Sequence, residues 1–139
     1  MKCLSFNRRG LASPDKKLSL RRLLGSVKID VLLLQETLGD GGSINKILLN
    51  MLPRWIFHTL DVRWRFEGCS LGFNKNTINI NNIWGGEGYF GADFTTTEID
   101  VPLKLINIYC PCHNREGLWD KLMNTSFMQR RPKFLLGSC

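Results

Sequence analysis

Ile29-Asp30-Val31-Leu32-Leu33-Leu34-Gln35-Glu36-Thr37 is the stretch that decides how this chain is read. A largely apolar run of this length is the mark of a strand covered on both faces. Such strands belong to layered α/β proteins, in which helices cover a sheet. Glu36 stands at the carboxyl end of the run. A carboxylate there is costly to bury alone, so it faces water, a cationic partner or a metal. Ligands of open α/β sheets bind at the carboxyl ends of strands. Glu36 is therefore a candidate ligand for a hard cation, because Mg²⁺ takes one or two carboxylates and keeps several waters. A solvated strand end is the plainer reading of position alone.

Upstream, residues 2–7 read as a short strand that breaks at Asn7-Arg8-Arg9-Gly10. Ser13-Pro14 is a helix start, with Ser13 as N-cap and Pro14 at the first helical position. Leu20, Leu23, Leu24 and Val27 follow at helical spacing, which carries the helix to about Val27. Downstream, residues 39–42 (Gly-Asp-Gly-Gly) read as a loop. Residues 43–52 read as a second helix, capped by Ser43, with Ile44, Ile47, Leu48 and Met51 on one face and Pro53 ending it. Residues 55–60, 69–74, 77–83, 89–96 and 101–109 are expected strands, separated by Gly, Asn and Asp. Residues 114–128 read as a helix that turns Leu118, Leu122, Met123 and Phe127 inward, and residues 133–136 start a further strand. The expected fold is one mixed sheet with covering helices, in a single domain spanning residues 1–139.

The net charge is +7, from 19 basic and 12 acidic residues. The excess gathers at the start, where Lys2, Arg8, Arg9, Lys16, Lys17, Arg21, Arg22 and Lys28 face only Asp15 and Asp30. Basic chains favour polyanions, since each neutralised phosphate releases counterions. A solvated helix face explains the same charges equally well. The five cysteines, at 3, 69, 110, 112 and 139, are irregularly spaced. Cys110-x-Cys112 is too tight for the usual zinc knuckle and has no second pair. No secretory signal opens the chain and no long apolar run spans a membrane, so an intracellular protein with reduced thiols is expected.

Two other predicted strand ends carry polar residues. Asn7 closes the first strand, where its amide can orient a carboxylate or contact a phosphate; an Asx-turn is the commoner use. Tyr109 closes the strand before Cys110-Pro111, and its hydroxyl can donate to a phosphate oxygen; a half-buried aromatic with a wet tip is the alternative. His58 reads as structural and His113 as a surface residue. Trp55, Trp64, Trp84 and Trp119 are scattered and read as core or half-buried packing.

Several short stretches follow one pattern in order. They are residues 1–7 (Met-Lys-Cys-Leu-Ser-Phe-Asn), Arg9-Gly10-Leu11, Leu33-Leu34-Gln35-Glu36-Thr37, Gly68-Cys69-Ser70-Leu71-Gly72-Phe73, and Asn107-Ile108-Tyr109 with Pro111-Cys112. The set resembles the exonuclease–endonuclease–phosphatase superfamily, in the branch of LINE-type retrotransposon endonucleases. The resemblance implies a DNase I-like α/β sandwich, of which this chain is the N-terminal half, truncated. It implies Glu36 as the Mg²⁺ ligand, Asn7 and Tyr109 as catalytic residues (Tyr109 on the scissile phosphate), DNA as the partner, and a nuclear site of action. The pattern is broken in places. Leu136-Gly137-Ser138-Cys139 stands where the family has Gly-Asp-x-Asn, and the closing Ser-Asp-His motif is absent. Arg8, Phe66-Glu67 and Cys110 also depart from it. The implied function is an inactive, Mg²⁺-dependent DNA endonuclease-like domain. The alternatives are a basic nucleic-acid-binding module, or an unstable remnant whose inner sheet face lies exposed.

Overall fold

The computed structural model describes residues 1–7, 9–60, 68–86, 89–109, 115–124 and 133–138. The elements run β1 (Cys3–Asn7), α1 (Pro14–Ser26), β2 (Val31–Gln35), α2 (Gly41–Met51), β3 (Trp55–Leu60), β4 (Cys69–Asn74), β5 (Ile78–Gly86), β6 (Tyr89–Thr96), β7 (Leu103–Tyr109), α3 (Arg115–Met123) and β8 (Lys133–Ser138). They divide into two compact units, Met1–Ile78 and Asn79–Cys139.

The first unit is built on a sheet of order β1-β2-β4-β3. β1 and β2 are parallel, with Asn7 opposite Gln35. β4 runs antiparallel to both β2 and β3. Every residue of β2 is buried, as its apolar run requires. Leu32 and Leu34 point into a core with Leu11, Leu20, Ile44, Leu48, Trp55 and Phe57, which joins both helices to one sheet face. Phe57 lies over Gly72, where an added Cβ would come within 2.4 Å of its ring. Val31, Leu33, Leu71 and Phe73, on the opposite face, are also fully buried. The exposed inner face on which the unstable-remnant reading rested is therefore not present in these strands.

Helix α1 starts as expected: Ser13 caps it, accepting a bond from the Lys16 amide, and Pro14 opens the first turn. It stops at Ser26, one residue before Val27, which is 39% exposed instead of facing the core. Helix α2 begins two residues earlier than expected. Asp40, not Ser43, is its cap, accepting from the Ser43 amide at 2.9 Å. The Ser43 hydroxyl and amide hold the Asp40 carboxyl below the usual carboxylate range. Gly41 and Gly42 are weak helix formers, but the carboxylate cap satisfies an amide that would otherwise lack a partner.

Asp30 ties the first sheet together. Its carboxylate accepts from the Lys2 amide at 2.9 Å and the Thr77 hydroxyl at 2.8 Å. Its backbone bonds Lys2 O at 2.8 Å and the Asn74 amide at 2.9 Å. Burial pushes the Asp30 carboxyl up, but the Lys2 amide, the Thr77 hydroxyl, the N-terminal amine and Lys28 outweigh it and hold it below its ordinary value. A depressed carboxyl stabilises the fold above its unfolded pKa, near ~4, and that contribution is lost as pH falls through the folded value. Asp30→Ala is expected to cost about 1–2 kcal/mol at pH 7, since both acceptors are partly solvated. Urea denaturation of both proteins checks this, and the gap between them should shrink as pH falls below ~4. A gap that persists unchanged at low pH would refute the assignment.

The second unit carries a sheet of order β5-β6-β7-β8. β6 and β7 are antiparallel, and β7 and β8 are parallel, with α3 between them in sequence. Phe90, Ala92, Phe94, Leu103 and Leu105 are buried along β6 and β7. On the other sheet face Lys104 pairs with Asp93 at 2.6 Å, and Trp84 donates to the same oxygen at 3.2 Å. The Trp84 ring lies over Gly91, where an added Cβ would come within 2.3 Å of it.

The α/β class is as expected, but the strands form two sheets and not one. The reason lies at β4. Both of its edges are already bonded, to β2 and β3. The turn that follows, closed by Thr77 N to Asn74 O at 3.2 Å, therefore cannot fold β5 back onto β4 as a hairpin, and β5 pairs with β6 in a new sheet. Helix α3 is shorter than expected. Its Met123, expected inside, is 64% exposed, and Trp119 is 43% exposed. The side chains of Leu118 and Leu122, and all of Phe127, lie outside the described residues.

Candidate functional site

The parallel pairing of β1 and β2 places Asn7 and Gln35 side by side at the carboxyl edge, and the next residue is Glu36. Asn7 Nδ2 donates to Glu36 Oε1 at 2.8 Å. The two residues singled out separately at strand ends thus meet, although they lie 29 positions apart. This fixes the amide orientation and one carboxylate oxygen. The second oxygen, Oε2, lies 3.9 Å from Arg9 Nε, and the Glu36 side chain keeps 16% of its surface exposed.

The backbone around the carboxylate is unusual. Glu36 has φ 56°, Leu38 φ 50° and Arg9 φ 48°, all in the left-handed region. A residue with a Cβ is strained there by about 1–2 kcal/mol. The surrounding bonds hold the conformation. The Gly10 amide donates to Glu36 O at 2.6 Å and the Thr37 amide to Gly68 O at 3.3 Å. Lys16 Nζ donates to Arg9 O. Gly10 and Gly68 themselves have φ 96° and 84°. Thr37 is fully buried, and its hydroxyl has no hydrogen-bond partner among the described residues. Strain of this kind collects at functional sites.

The donor set suits one class of metal. Glu36 offers a single accessible carboxylate, with Asn7 steadying it. Among the described residues there is no group of three or more His, Cys, Asp or Glu side chains that would close a site. Cys69, opposite Gln35 on β4, is 6% exposed, and burial pushes its thiol up to about 12, so it supplies no thiolate. A hard cation that keeps most of its waters fits these residues; a closed thiolate or imidazole site does not. Arg9 and the Gly68–Thr37 contact were not singled out as site features from the sequence. A non-local contact leaves no spacing signal, and the glycine before β4 was the sole hint.

Tyr109 ends β7 in the second unit, where its register partner is Ser138. Its side chain lies outside the described residues, as do Arg8, Phe66, Glu67, Cys110, Cys112, His113 and Trp64. Both units therefore carry candidate residues at the carboxyl end of a parallel strand pair, Asn7 with Glu36 in one and Tyr109 with Ser138 in the other. His58 lies on β3 opposite Leu71, and burial pushes its imidazole down. Trp55 stacks on Phe57 with ring centroids 6.1 Å apart, in the core as expected. Among the described residues no helix is long and apolar enough to cross a membrane.

No protein-family profile and no curated protein matches this chain. Solved structures do. A D. rerio TDP2 humanized by 14 mutations matches 97% of this chain and 64% of its own, at 16% identity and TM-score 0.71. An endonuclease/exonuclease/phosphatase family protein from Bacteroides thetaiotaomicron matches 97% of this chain and 61% of its own, at 11% identity and TM-score 0.71. D. rerio TDP2 complexed with single strand DNA product matches 97% of this chain and 58% of its own, at 16% identity and TM-score 0.69. The chain thus has the DNase I-like α/β fold of these proteins and spans less than two thirds of their length.

Proposed function

We propose that this chain, with the fold of the endonuclease/exonuclease/phosphatase proteins, is a Mg²⁺-binding, DNA-binding domain derived from a LINE-type retrotransposon endonuclease, with hydrolysis lost or nearly lost. The observation that carries the reading is the Asn7–Glu36 bond at 2.8 Å, at the carboxyl ends of two parallel strands. Glu36 is the residue that would hold the cation, and Asn7 fixes which carboxylate oxygen faces outward. A divalent ion bound there would supply charge neutralisation for a phosphodiester. Tyr109 is the proposed hydrogen-bond donor to the phosphate. The fold likeness to a TDP2 structure complexed with single strand DNA product, and the net charge of +7, support a nucleic-acid partner. A nuclear site of action goes with a DNA substrate.

Loss of hydrolysis is proposed from one position. Ser138, at the end of β8 and paired with Tyr109, stands where the resemblance implies an aspartate. A serine hydroxyl neither carries the charge to hold a metal nor acts as a base at neutral pH without a partner.

Plasmid nicking and duplex binding by the purified chain, with Mg²⁺, with EDTA and in Glu36→Ala, test the proposal together. The expected result is DNA binding that weakens several-fold in EDTA and in Glu36→Ala, with nicking at background. Nicking that disappears in both controls would show that hydrolysis survives without the aspartate. DNA binding indifferent to EDTA and to Glu36→Ala would replace the metal reading with a basic binding module, for which the exposed Arg21 and Arg22 of α1 are the first candidates.

A further inference from the structure

Arg9 is the cation that Glu36 already has. Its Nε lies 3.9 Å from Glu36 Oε2, beyond hydrogen-bond length but close enough for charge pairing. The other oxygen, Oε1, is committed to Asn7. Among the described residues Oε2 is thus the oxygen without a hydrogen bond, and Arg9 stands beside it. The Arg9 side chain is 87% exposed, so packing does not hold it in one place. Its backbone is held. Lys16 Nζ binds the Arg9 carbonyl, and the next amide, Gly10 N, is anchored on Glu36 O at 2.6 Å. A fixed backbone thus carries an exposed charge at the edge of the carboxylate.

We infer that Arg9 is a resident counter-ion for Glu36, one that competes with a divalent cation for Oε2 and turns to a phosphate oxygen when a nucleic acid is bound. The inference rests on the proposed metal role of Glu36. The exchange is cheap because an exposed ion pair is weak and screened by salt. The guanidinium suits the second role, since its planar fork of donors matches a phosphate, whereas an ammonium is a point charge. Arg9 in this way neutralises the site when it is empty and adds a phosphate contact when it is filled.

The test uses the whole chain and Mn²⁺ as the probe, followed by its electron paramagnetic resonance signal at low salt and without DNA. Arg9→Gln is expected to bind Mn²⁺ about two- to fivefold more tightly than the unaltered chain, because a nearby positive charge is removed. Arg9→Lys keeps the charge and should bind Mn²⁺ as the unaltered chain does. Binding of a short labelled duplex should weaken in Arg9→Gln, with a shallower dependence on salt. Unchanged or weaker Mn²⁺ binding in Arg9→Gln overturns the counter-ion role, and unchanged duplex binding overturns the phosphate role. Glu36→Gln separates the two levels of the argument. If it abolishes Mn²⁺ binding while Arg9→Gln changes nothing, the inference about Arg9 alone fails. If Glu36→Gln binds Mn²⁺ normally, the proposed metal site itself fails.

Discussion

Gly68→Ala is expected to lower the free energy of unfolding by about 2–5 kcal/mol and to weaken whatever Glu36 binds. Two separate costs combine. Gly68 has φ 84°, a conformation that carries a penalty of about 1–2 kcal/mol once a Cβ is present. The added Cβ would also come within 2.5 Å of the Thr37 hydroxyl, which is fully buried and has little room to withdraw. Overpacking of that kind costs about 1–3 kcal/mol. Thr37 directly follows Glu36, and its amide bonds Gly68 O at 3.3 Å, so relief of the clash displaces the candidate ligand. Urea denaturation gives the stability loss, and Mn²⁺ binding gives the effect on the site. A second variant divides the costs. Thr37→Ala removes the clashing hydroxyl, so Gly68→Ala in that background should recover about half of the loss and leave the conformational part. No coupling between the two substitutions would show that the hydroxyl is not what the new methyl meets.

How much of this was legible in the sequence depends on how local each determinant is. The apolar run of β2 announced its own burial, because a strand with apolar residues on both faces has to be covered on both. Ser13-Pro14 announced the start of α1 through a cap and a preset φ, both local. Asn7 and Glu36 were each marked by their place at a strand end. Their bond to each other needed only the parallel register of β1 and β2. What the residues concealed was non-local or finely balanced. That β5 does not pair with β4 follows from the occupied edges of β4, which no periodicity reports. The start of α2 was placed at Ser43 because the glycines at 41 and 42 weighed toward a loop, whereas Asp40 caps the helix. The spacing that placed Val27 inward described the covered face of α1, with Leu20 buried, but not where that face stops being covered, and Met123, also placed inward, is exposed. Arg9 beside Glu36 joins residues 27 positions apart, and a charge count saw only one more basic residue.

Glu36→Gly is expected to remove Mn²⁺ binding altogether and yet to be more stable than Glu36→Ala by about 0.5–1 kcal/mol. The comparison of the two variants isolates the backbone. Both lose the carboxylate, the bond from Asn7 and the pairing with Arg9, so those losses cancel between them. What remains is φ 56°, which alanine adopts at a cost of about 1–2 kcal/mol and glycine nearly freely. Glycine gives back part of that gain, because its unfolded chain is more disordered by about 0.4–1 kcal/mol. Urea denaturation of the two variants measures the difference directly; equal stabilities would mean that the strain only matches the unfolded-state entropy of glycine, and a less stable Glu36→Gly would mean that the left-handed turn carries no strain. If the gap is present, position 36 is one where the backbone favours glycine and the chain nevertheless has glutamate. Core packing does not explain that choice, since the side chain is partly exposed and among the described residues reaches Asn7 and, loosely, Arg9. A carboxylate held against the preference of its own backbone, with one oxygen steadied and the other open, is what a cation ligand requires and what a solvated strand end does not. The variant pair thus measures how much conformational energy the fold gives up to hold this carboxylate in place.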